Sequence, residues 1–284
     1  MTILQYSVHQ VNNNSALPNR VDIIFSQLDY YSNSNMIRGD FHKVFNDKKR
    51  ILIIMPHPDD AEIYCGGTIA HLVKSKKEVR IVKATFGERG CQQEKITLSR
   101  LKKIRKREDS ASMEVLGIKP SNNIYLDLGD GKVENTIDTI KKIAFQIRLF
   151  KPDLVITTNP EDSVIRFDKN INWINHRDHR NTAQSTLDAI LPYSRDLLFF
   201  PEQLKGSRAI SHSVTEFLLT DYYDHPDNVL INVTDFINTR VKAHSCHKSQ
   251  YSLSDAKESA DFFTIRNYYP KGKRYESFRY VVAD

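Results

Sequence analysis

Cysteine is scarce in this chain. Three residues in 284, Cys65, Cys91 and Cys246, are scattered and odd in number. That excludes a disulfide framework and zinc-finger spacing, and it suits a reducing, cytoplasmic setting. Long apolar runs are absent too. None approaches the roughly 18 residues needed to cross a bilayer, so no membrane span is expected. The first ten residues, Met1-Thr-Ile-Leu-Gln-Tyr-Ser-Val-His-Gln10, lack the basic start and apolar stretch of a signal peptide. There is no internal repeat and no low-complexity tract. No Gly-x-Gly-x-x-Gly follows the first apolar run, and Gly66-Gly67 arrives too late to replace it. This argues against a non-catalytic nucleotide- or ligand-binding module.

What is present is ordinary for a globular enzyme, with 40% hydrophobic and 27% charged residues and a net charge of +6. Much of the basic excess lies in Arg100-Leu-Lys-Lys-Ile-Arg-Lys-Arg107. No aromatic residues interleave with these charges, so the run reads as the solvated face of a helix, with Leu101, Ile104, Ala111 and Val115 inward. Nucleic acid is not an expected partner.

Four apolar segments alternate with helical patterns: Arg50–Met55, Glu78–Thr85, Asn123–Leu126 and Pro152–Thr158 as strands, with helices after the first, over about 98–116 and over about 136–150. This spacing predicts an α/β fold, a Rossmann-like doubly wound, mostly parallel sheet flanked by helices. Short extra strands are expected near Glu216–Thr220 and Asn228–Val233, followed by a helix over about 235–247. Residues 1–48 read as an N-terminal extension, a lid or an oligomer contact, with a candidate helix at Val21–Tyr31. Residues 49–250 form the main domain. Residues 251–284 read as an aromatic, basic tail packing on that domain.

The chemistry gathers in the loop after the first strand. His57, Asp59 and Asp60 stand within four positions, between a buried strand and a helix, at the sheet edge where open α/β folds place their ligands. One His and one carboxylate suit a divalent metal, and the second carboxylate is left as a base. A distant His must complete the set, and His176 and His179 are both offered by a later loop. Cys65 reads as a small buried residue at a helix start rather than a ligand.

His57-Pro-Asp-Asp-Ala-Glu62 followed by Gly66-Gly-Thr-Ile-Ala70 resembles the signature of the PIG-L/LmbE-like zinc N-deacetylases. So do Thr85-Phe-Gly-Glu-Arg-Gly90, Arg105-Lys-Arg-Glu108 with Val115-Leu-Gly117, Asp127-Leu-Gly-Asp-Gly131, Lys151-Pro-Asp-Leu-Val-Ile-Thr157, His176-Arg-Asp-His179 and His244-Ser-Cys-His-Lys-Ser-Gln250. Arg177 departs from the usual Pro, and Ala61 stands where the family often has Glu. The resemblance implies His57, Asp60 and His179 as zinc ligands, with another divalent ion such as ferrous iron able to use the same donors. It implies Asp59 as general base, a protonated His176 stabilising the oxyanion, and Asp178 orienting His176. Arg105 and Asp130 are implied as substrate contacts.

The implied activity is hydrolysis of the N-acetyl group of an N-acetylglucosamine-type moiety on a small conjugate, by zinc-activated water. The alternative is a metal-dependent amidohydrolase for a non-sugar N-acyl substrate.

Overall fold

The computed structural model describes residues 41–91, 95–206 and 208–283. The candidate helix at Val21–Tyr31 lies outside them. A short helix, α1 (Phe41–Phe45), leads into β1 (Arg50–Met55), α2 (Asp60–Lys74), β2 (Glu78–Lys83), α3 (Leu98–Leu116), β3 (Asn123–Tyr125), α4 (Ile137–Phe150) and β4 (Leu154–Thr157). After β4 come a hairpin of β5 (Val164–Arg166) and β6 (Asn172–Ile174), then α5 (Arg177–Asp188), β7 (Glu216–Leu219), β8 (Asn228–Asn232), α6 (Ile237–His244), α7 (Leu253–Thr264) and β9 (Tyr275–Val282).

The main sheet has seven strands in the order β3-β2-β1-β4-β7-β9-β8. The first five pair in parallel, and β9 runs antiparallel to both its neighbours. Chain order reverses between β1 and β4, so the loops leaving these two strands diverge to opposite sides and open a crevice at the carboxyl edge. The His57 loop leaves β1 at that point. Alternate residues of β1 feed two cores. Ile51, Ile53 and Met55 pack with α2 and Phe278, while Leu52 and Ile54 pack with Ile140, Ile143 and Ile147 of α4. A strand buried on both faces reads as a continuous apolar run, which is why this one was legible.

Two differences from the sequence reading matter. The tail does more than pack on the domain: it supplies α7 and β9, and β9 lies between β7 and β8. The inward stripe of α3 is Leu101, Arg105, Asp109, Ser112, Met113 and Leu116, whereas Ala111 is exposed. A helix that turns an arginine and an aspartate inward is carrying more than packing.

Helix α2 is broken at Cys65, whose φ is −146°. The break frees the Ile63 carbonyl and the Gly67 and Thr68 amides inside the protein. Arg240 Nη2 donates to Ile63 O at 2.6 Å, and Glu276 on β9 accepts from the Gly67 and Thr68 amides at 2.8 and 2.7 Å. Gly66 and Gly67 admit this approach, since a Cβ would meet Arg240 Cγ at 2.9 Å or Val233 Cβ at 2.6 Å. The C-terminal strand thus caps the second half of the helix that begins in the metal-loop motif. Glu276→Ala leaves those amides and the buried Arg240 without their carboxylate. The expected loss is about 3–5 kcal/mol of unfolding free energy, read from denaturant titration. An unchanged midpoint would contradict this account.

Candidate metal centre

Helix α2 starts at Asp60, so Asp60 lies in its first turn, where its Oδ2 accepts from the His57 backbone N–H at 2.8 Å. His57 Nδ1 lies 3.2 Å from the same oxygen, and His179 Nε2 lies 3.4 Å from Asp60 Oδ1. His179 sits in the first turn of α5, brought across the switch point by the loop after β4. One donor atom from each of His57, Asp60 and His179 falls within 4.8 Å of the others. That is a fitting donor set for a divalent metal ion.

The second way to use His57, with His176 and Asp178, meets the same distance limit but its donors are already engaged. Asp178 Oδ2 accepts from Gly131 N–H at 2.7 Å and Oδ1 from Val133 N–H at 3.2 Å. His176 Nδ1 accepts from the Asp178 N–H at 3.2 Å. His176 is the N-cap of α5, so Asp178 engages its ring through the backbone N–H, while the Asp178 carboxylate faces His57 Nε2 at 3.2 Å.

Electrostatics separate the histidines. Burial opposes a charge on His57, but hydrogen bonds to Asp130, Asp178 and Asp60 outweigh it and hold its pKa well above the usual value. Burial pushes His179 down to about 4, with Asp60 opposing, so that ring is neutral, and an ion bound at this site would displace the proton that the carboxylates favour on His57. Desolvation and the neighbouring His57 charge lower His176 as well. A neutral ring accepting at Nδ1 carries its proton on Nε2.

Asp59 occupies strained backbone, with φ at +98°. Such a conformation in a non-glycine residue is held by its surroundings. Arg105 supplies the hold: Nη2 donates to Asp59 Oδ2 and to Pro58 O, both at 2.8 Å, and Nη1 donates to Gly87 O at 2.7 Å. Gly87 has a positive φ, and a Cβ there would collide with this guanidinium. Tyr251 is buried near Asp59, and burial with the Asp59 charge holds its phenol pKa well above the usual value. Burial raises the Asp59 pKa to about 6, Arg105 opposes this, and Asp60 adds to it.

The two expected substrate contacts are turned inward. Arg105 is 4% exposed and engaged as above. Asp130 Oδ1 lies 3.2 Å from His57 Nε2, its Oδ2 accepts from Arg89 N–H at 2.7 Å, and Glu88 accepts from its amide at 3.0 Å. Both side chains position the loop residues. Arg105-x-x-Glu108 places its two charges on one helix face. Arg105 takes the base loop, and Glu108 accepts from Ser249 N–H at 2.8 Å and Ser249 Oγ at 2.6 Å.

Several neighbours of the site were given no role from the sequence, although Glu62 and His247 lie inside the motifs quoted above. Tyr251 is one. Glu62 and His247 form a buried pair at 2.8 Å beneath the loop, joined by Ser112. Asp221, just after β7, is 3% exposed and accepts from Tyr223 at 2.9 Å. Nearby Tyr64 stands edge-on to His179 with ring centroids 6.0 Å apart. For Asp221, its position after a parallel strand was the only clue.

Burial raises the Asp221 pKa to about 7 from an ordinary 3.8. The folded protein therefore takes up a proton there between those values, and stability falls as pH rises from about 4 through 7. Asp221→Asn removes that loss. The metal-free variant is expected to be the more stable by a few kcal/mol at pH 8, with the gap closing near pH 4. Parallel melting curves from pH 4 to 8 check this, and a constant gap would contradict it.

An α/β sheet with a His–Asp–His donor set and an adjacent buried carboxylate at its switch point defines the class as a metal-site hydrolase scaffold. The PIG-L family, under the description GlcNAc-PI de-N-acetylase, matches residues 52–190 of the chain. The chain is similar to the diacetylchitobiose deacetylase of Thermococcus kodakarensis, with 29% identity over 267 residues that cover 90% of this chain and 93% of that one. A solved structure, N,N'-diacetylchitobiose deacetylase from Pyrococcus horikoshii with an inhibitor, superposes with a TM-score of 0.70 at 25% identity, covering 93% of this chain and 94% of that one. A shorter match, 27% identity over 120 residues, is to the 4-oxalmesaconate hydratase of Pseudomonas putida, covering 40% of this chain and 45% of that one.

Proposed function

We propose that the protein is a metal-dependent N-deacetylase acting on an N-acetylglucosamine-type moiety of a small conjugate, with His57, Asp60 and His179 as the ligands of a divalent ion, zinc in the first instance. The observation that carries this reading is the separation of roles at the loop. Three donor atoms cluster, and Asp59 stands beside them outside the set, its carboxylate held by Arg105.

A bound ion would supply Lewis acidity to an amide carbonyl and acidify a water. The chain's own residues do the rest. Asp59 takes the proton of the attacking water and passes it to the departing amine. Arg105 keeps that carboxylate in place through the transfer. His176, with Nδ1 engaged by the Asp178 amide, presents Nε2–H to the charge that develops on the acyl oxygen. Acetate and a free amine result.

The family supplies the substrate class, and the named deacetylase relatives agree with it. The test is free-amine release by the zinc-loaded protein across a panel of N-acetylated amino-sugar conjugates and non-sugar N-acyl amines. Release from the amino sugars is the expected result. Activity confined to non-sugar amides would replace the sugar reading with the second amidohydrolase reading. Silence on every amide would overturn both.

A further inference from the structure

The hairpin of β5 and β6 has two faces. Its inner face is fixed by a ring cluster: Phe167 stacks on Phe262 with centroids 4.2 Å apart, Arg266 lies 3.3 Å over Phe167, and Trp173 packs against Tyr223 and Phe263. Its outer face carries Val164 and Ile174, which pair directly across the strands. They are 57% and 76% exposed. The core does not need them, and an exposed apolar pair on a well-anchored wall calls for an occupant.

Their position names the occupant. Asn175 continues the ladder, its N–H donating to Ser163 O at 2.9 Å, and its side chain is buried inward. In extended chain alternate residues share a face, so Ile174 and His176 project to the same side. The His176 ring faces His57, with centroids 5.2 Å apart. Ile174 thus stands two residues before His176, and with Val164 it lies on the hairpin face that leads to that ring.

We infer that Val164 and Ile174 form an apolar subsite for the group carried by the amino sugar, and that the preferred substrates are N-acetylglucosaminides with an apolar aglycone. This rests on the deacetylase reading for the identity of the sugar, and the test separates the two. Hexyl and methyl N-acetylglucosaminides are compared with the zinc-loaded protein and with Val164→Asn and Ile174→Asn. Binding is measured by calorimetry and turnover by amine release.

The wild-type protein is expected to favour the hexyl compound over the methyl compound by about tenfold in Kd, and the Ile174→Asn protein to bring that ratio near one. Calorimetry reads the subsite whether or not acetate is released, so a hexyl preference without turnover would uphold the subsite and remove the deacetylase reading. Equal binding of the two glycosides by the wild-type protein would overturn the subsite. So would a preference that both variants retain. A halved solution mass in the Asn variants, with the preference intact, would assign the patch to contact between copies of this chain and overturn the inference.

Discussion

Asp59→Ala is expected to keep its metal and lose turnover by roughly 10³-fold. The argument rests on where Asp59 sits. It adjoins a donor in sequence, yet the three clustered donors are His57, Asp60 and His179. Its own carboxylate is engaged by Arg105 at 2.8 Å. Removing it takes away the proton carrier and leaves the ligand cluster intact. Metal content by atomic emission and kcat on one amino-sugar substrate give the two halves of the result. A variant within tenfold of wild-type turnover would sink the base assignment. A variant without metal would make Asp59 a ligand and require the donor set to be redrawn. Arg105→Ala should fall on the same side with a smaller rate loss, since it acts through Asp59.

His179→Ala and His176→Ala should separate in the opposite sense. His179 is nearly buried, neutral, and 3.4 Å from Asp60. Its loss is expected to weaken metal binding by about 10²-fold or more. His176 is solvent-exposed, and its Nδ1 is engaged by the α5 backbone. Its loss is expected to leave the metal in place and slow the reaction by about 10²–10³-fold, as for removal of an oxyanion donor. Competition with a chromophoric chelator measures the affinities. Full occupancy in the His179 variant with loss in the His176 variant would select the alternative set of His57, His176 and Asp178.

The sheet and the crevice were legible because their signals are local. A strand buried on both faces reads as an unbroken apolar run, and a motif loop reads as consecutive polar residues. The β5–β6 hairpin was not legible, since Val164–Arg166 and Asn172–Ile174 are three-residue strands with no room for a pattern. β9 was hidden among aromatic residues of the tail, and its place between β7 and β8 depends on pairing across many residues.

The same division holds at the site. His57, Asp59, Asp60, His176 and His179 announce themselves by residue type and spacing. Arg105 was visible as a motif residue, but its partner could not be read from the chain. Forty-six positions separate it from Asp59, and only the fold decides that the guanidinium points to the base. Asp221, Tyr64 and Tyr251 depend on tertiary placement alone. The sequence fragment around Tyr251 suggested only a late His-x-Ser-Gln element, and that Glu108 holds its Ser249 turn could not be read from the chain.

The most direct test of the central claim follows acetate by proton NMR while the protein acts on an N-acetylglucosaminide. Three samples suffice: protein as purified, protein stripped by chelator, and stripped protein given one equivalent of zinc. The account predicts acetate and free amine in equal amounts, loss of both on stripping, and their return with zinc. Acetate release that survives stripping, or no release from the reloaded protein, would contradict it.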